Sequence, residues 1–168
     1  MKIVILENRP LVMQKVLEFF LAEEKVSEII IAFYMESKEE APPQEYYEAT
    51  NEMFDKLRIS YRKNITCNDV IRKDFGEFLD QYYTDEDAVI IFDAILNRKW
   101  TGHMSTWPNI VYAMTKENKT WLYTTGPESI LRFINSTFPG KNIPVQRFDV
   151  EEQQLYLDFD YIEKKILH

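Results

Sequence analysis

Glycine is scarce in this chain of 168 residues, with only four, at positions 76, 102, 126 and 140. They are too dispersed to build a glycine-rich phosphate loop, which excludes the nucleoside-triphosphate enzymes that depend on one. Cysteine is scarcer still. Cys67 stands alone, so the chain has neither an internal disulfide nor a cysteine-based metal cluster. Such usage fits a reducing cytosol. Basic charge is also short: Lys and Arg number 20 against 28 Asp and Glu, a net charge of -8. That balance is the reverse of what a phosphate backbone or an anionic lipid surface attracts. No apolar run approaches the roughly 20 residues of a membrane span, and the opening KIVIL lacks the charged and apolar blocks of a signal peptide. The expectation is a cytoplasmic protein with no nucleic-acid and no membrane partner.

Apolar residues make up 45% of the chain, enough for one ordinary domain, 1–168, to bury its own core. Five short β-rich runs recur, at 3–6, 28–33, 88–92, 120–124 and 143–148. Each is continuous in apolar character, as strands covered on both faces are. Helical spacing fills the gaps: Val12, Val16, Phe19 and Phe20; Ile71, Phe75, Phe78, Leu79 and Tyr82; Trp107, Ile110, Val111 and Met114. A shorter stripe runs through Ile130, Leu131 and Ile134, and a last one through Leu155, Phe159, Ile162 and Ile166. Helix-start signals at 8–10, 66–69, 106–108, 126–127 and 149–152 agree with these stripes. Alternation of strand and helix predicts an α/β fold: a doubly wound, mostly parallel five-stranded sheet with helices on both faces, a three-layer sandwich.

The segment 36–64 departs from plain alternation. It holds an acidic, proline-containing stretch, a helical stripe at Tyr47, Thr50, Phe54 and Leu57, and an alternating LRISYR run. It reads as an inserted helix with a sixth, edge strand, where Arg58 and Arg62 would discourage pairing with other chains.

Ligands of open parallel sheets gather beyond the carboxyl ends of the strands. The polar residues following the predicted strands are therefore the candidates: Glu7 and Asn8, Asp93, Thr124 and Thr125, and Arg147. With this constellation, KIVILENRPLVMQKVLEFF and DEDAVIIFDAIL make the chain resemble the receiver domain of two-component response regulators, the chemotaxis-regulator-like, flavodoxin-like fold. The resemblance implies a phosphoacceptor at Asp93 and Mg2+ held by Asp93 with Glu7 and Asn8. It further implies a hydroxyl from Thr124 or Thr125 and a cation from Arg147. The chemistry is coherent: hard oxygen ligands hold the metal, the metal neutralises the phosphoryl oxygens, and hydroxyl and cation secure the product.

Against the family pattern, Asn8 replaces the second carboxylate, Arg147 followed by Phe148 replaces a lysine–proline pair with Lys141 the nearest lysine, and Pro144 lies near the place of the coupling aromatic. The reading that follows is a stand-alone receiver-like signalling domain of degenerate type. It would act through a kinase or downstream protein partner rather than as an enzyme, with Asp93 the residue open to phosphorylation. The alternative is a Mg-dependent topoisomerase-primase-like nuclease domain using Glu7 and Asp93. That fold expects a glycine after the first acid and an aspartate two residues past the later one, where Asn8 and Ile95 stand.

Other polar features carry plainer readings. His103 is a loop histidine, Trp107 a core residue flanking it, and Trp100 a partly exposed one. Cys67, near a predicted helix start, reads as a buried thiol. Tyr156, Leu157 and Tyr161 exceed what one helical stripe needs and suggest a homodimer face.

Overall fold

The computed structural model describes residues 1–6, 10–35, 37–83, 88–93, 120–123, 136, 147–149 and 154–156. The chain is α/β with a parallel sheet and forms two compact units, Met1–Ala88 and Val89–His168.

In the first unit, β1 (Lys2–Leu6) leads through a 3-10 turn (Pro10–Met13) into α1 (Gln14–Ala22). Then come β2 (Glu28–Met35), a 3-10 turn (Lys38–Glu40) and α2 (Gln44–Tyr61). β3 (Asn64–Ile71), a third 3-10 turn (Arg72–Asp74) and α3 (Phe75–Tyr83) complete it. β2 lies between β1 and β3, and both pairings are parallel, with Lys2 opposite Glu28 and Glu28 opposite Asn64. Ile3, Ile5, Leu6 and Ile29 are wholly buried, as expected of strands covered on both sides.

Strand alternation separates the two faces. Phe33, whose register partner is Asp69, meets the rings of Tyr46 and Tyr47 of α2. Glu28 and Lys2 have the opposite parity, and it is their charges that Tyr82 of α3 feels. α2 therefore covers one face and α3 the other. The buried stripe of α1 is Val16, Leu17, Phe20 and Leu21; that of α2 is Thr50, Met53, Phe54 and Leu57.

The α2–β3 junction corrects the predicted edge strand. Residues 57–61 of LRISYR are the end of α2, and the last residue of the run, Arg62, is the left-handed cap at φ 54°. Its alternation misleads because Ile59 is 79% exposed and so marks no buried face. A strand does follow α2 and extends the sheet beside β2, but it is NITCNDVI. The predicted helix start at 66–69 thus lies inside β3, where Asn68 and Asp69 are exposed, and Ile71 ends the strand instead of opening a helical stripe. Polar residues on an outer strand imitate a cap.

Arg58 secures this junction. Its Nε donates to the Ile65 carbonyl at 2.9 Å, Nη2 donates to the same oxygen, and Nη1 meets Asp55 at 2.7 Å. The guanidinium also lies 5.8 Å from the centroid of the Phe54 ring.

β4 (Ala88–Asp93), all but its first residue in the second unit, and β5 (Thr120–Tyr123) pair in parallel. β6 (Arg147–Asp149) and β7 (Gln154–Tyr156) instead form a separate antiparallel pair. This corrects the expected fifth parallel strand and the helical stripe opening at Leu155, which is a strand residue opposite Phe148. The stripes at 107–114 and 130–134 lie outside the described residues, as do Phe159, Ile162 and Ile166.

Candidate functional site

The carboxyl ends of the strands carry two sets of polar residues. The first is the set expected from the sequence. Asp93 is the last residue of β4 and stands in register with Tyr123, the last of β5. Thr124 and Thr125 follow Tyr123 in the chain but, like Glu7, Asn8 and His103, lie outside the described residues. Arg147 opens β6 in the antiparallel pair.

The second set was not anticipated. The chain leaves β2 for α2 on one face of the sheet and β3 for α3 on the other. Strand ends that diverge in this way leave a crevice between them, where open α/β sheets take ligands. A cleft of about 630 Å³ lies at this place. Met35, Val70, Ile71 and Phe78 give it an apolar lining, with Ala41 from the connection after β2. Asp69, Asp74 and Glu77 supply negative charge, Lys38 the one positive charge among the described residues of the lining, and Asn68 and Gln81 neutral polar groups. Reading 66–69 as a helix start hid this arrangement; the alternation of Ile65 and Cys67 with Asn64, Thr66 and Asn68 was the signal that β3 was a strand.

The charge of Asp69 reaches the Tyr47 hydroxyl, whose pKa is raised by burial first and by the Asp69 charge next. Tyr47 in turn lies against Phe33, with centroids 5.6 Å apart and planes tilted by 35°. Cys67 shares the face of Asp69, and burial, followed by the Asp69 charge, pushes its thiol up to about 12, with Arg58 opposing weakly. A thiol held protonated this firmly is a poor nucleophile and a poor metal ligand.

Among the described residues, no three His, Cys, Asp or Glu side chains come together as a metal-binding group. The acids of the cleft are spread around it rather than focused on one point. Comparison with family models, curated proteins and solved structures finds no match for the chain.

Proposed function

We propose that the chain is a receiver-like regulatory module that acts through protein–protein interaction, with Asp93 in the position of a phosphoacceptor. The observation that carries this reading is the register of Asp93 with Tyr123. A carboxylate ending one parallel strand, beside a strand whose next residues are Thr124 and Thr125, is the pairing of acid and hydroxyl that phosphoryl acceptance uses. Glu7 and Asn8, which follow β1 in sequence, would complete a Mg2+ site with Asp93, and the metal would neutralise phosphoryl oxygens. The same reading takes the sheet as doubly wound and five-stranded, with β3 as its edge strand. Its support is the parallel pairing in both units and the placement of α2 and α3 on opposite faces in the first.

Beryllofluoride with Mg2+ tests the proposal. Bound to a competent acceptor it stabilises the folded state by mass action, so the melting midpoint of the parent protein should rise and that of Asp93→Asn should not. A rise that persists in Asp93→Asn removes Asp93 from the site. No rise in the parent removes the phosphoryl step and leaves protein binding alone, consistent with Asn8 in place of an acid.

A further inference from the structure

We propose that the cleft at the carboxyl ends of β2 and β3 binds a small organic cation, an amine carried on an apolar body. This inference does not rest on the receiver-like reading.

Four observations converge on that class. A volume of about 630 Å³ is in the range of small-molecule pockets, roughly 300–1,000 Å³, whose walls are mostly apolar with a few placed polar groups. The lining follows that plan, because Met35, Val70 and Phe78 offer apolar surface while polar groups surround it. Charge then selects the ligand. Among the described residues of the lining, Asp69, Asp74 and Glu77 outnumber Lys38, so with respect to these a phosphate or carboxylate ligand meets net repulsion and an ammonium group net attraction.

The third observation separates an organic cation from a metal ion. A hard divalent ion needs several oxygens at one centre, and the described acids form no such group. Dispersed carboxylates suit a charge on an extended body, with its apolar part on Phe78 and its ammonium at the acids. The fourth is preorganisation. Tyr47, within electrostatic reach of Asp69, is itself seated on Phe33, so the wall beside this carboxylate is packed before any ligand arrives. A wall already fixed in place loses less conformational freedom on binding than a mobile one.

Calorimetric titration of the full chain with tryptamine and spermidine, and with indole-3-acetate as an anion of similar body, tests the assignment. Tryptamine should bind saturably and more tightly than spermidine, which lacks an apolar ring, and indole-3-acetate should not bind. Asp69→Asn combined with Glu77→Gln should weaken tryptamine by about tenfold or more with the melting midpoint unchanged. Lys38→Gln should strengthen it. Tyr47→Phe should weaken it less than the double variant, since both carboxylates are kept. The proposal is overturned if neither amine binds, if indole-3-acetate binds as well as tryptamine, or if the double variant binds as well as the parent. A basic peptide that binds the cleft and is not displaced by tryptamine would also overturn it, in favour of a protein partner.

Discussion

At the amino ends of β1, β2 and β3, loose backbone groups are tied off. The Met1 ammonium donates to the Lys25 carbonyl at 2.7 Å, while Ser27 donates to the Met1 carbonyl from its amide at 2.8 Å and its hydroxyl at 3.0 Å. Lys63 Nζ donates to the Leu21 carbonyl at 2.7 Å and to that of Glu23, so a cation finishes the carboxyl end of α1. At the carboxyl ends of β2 and β3 the chain instead opens a cleft with exposed acids. One end of the sheet satisfies its own polar groups; the other keeps them for something else. Residues that hold the fold and residues that offer chemistry are thereby separated by a strand's length, and variants at one end should leave the other nearly untouched.

The largest expected effect comes from the shared support beneath both ends. Phe54 is fully buried, and Phe54→Ala removes a core ring and the surface on which Arg58 lies. Urea unfolding should record a loss of about 3–5 kcal/mol. Lys63→Met should cost about 1–2 kcal/mol, because the last carbonyls of α1 lose a charged donor, while tryptamine affinity at the far end stays the same. An equal loss of affinity would erase the separation of the two ends.

The carboxyl end gives an alkaline signature. The Cys67 thiol moves from an ordinary 9.0 to about 12 in the folded chain. Above pH 9 the unfolded chain releases this proton while the folded chain retains it, so stability falls as pH rises from about 9 to 12. Cys67→Ala should flatten that decline in melting midpoint. The smallest effect belongs to the junction beside Lys63. Arg62 holds a left-handed conformation that glycine enters without steric cost, and Arg62→Gly should raise stability by about 0.5–1 kcal/mol.

What could be read from the sequence follows the same division. β1, β2, β4 and β5 announce themselves because continuous apolar runs have no other use at that length, and the buried faces of α1 and α2 do so in part, through Val16 and Phe20 in the one and Thr50, Phe54 and Leu57 in the other. The stripe of α2 even included Thr50, which is buried with its hydroxyl unpartnered among the described residues. β3 escaped because it is bordered by only one described strand: Asn64, Asn68 and Asp69 face water, and hydropathy sees a polar loop. The cleft escaped with it, since Asp69 and Asp74 come close to Met35 and Lys38 only once β3 lies beside β2. Asp93 at the end of its strand was legible from the acid that closes AVIIFD, a local signal independent of pairing.

The double donation from Arg58 to the Ile65 carbonyl has a kinetic side. The two residues are seven apart in the chain, so their contact closes a short loop at small entropic cost. The pairing of Asn64 with Glu28 spans a far longer loop and must wait for it. The guanidinium thus sets the start of β3 against the end of α2 before the strand has a neighbour, so helix and strand reach β2 together. In a refolding experiment Arg58→Ala would then act chiefly by slowing folding, whereas Lys63→Met, whose bonds cross 42 and 40 residues, would act chiefly by hastening unfolding.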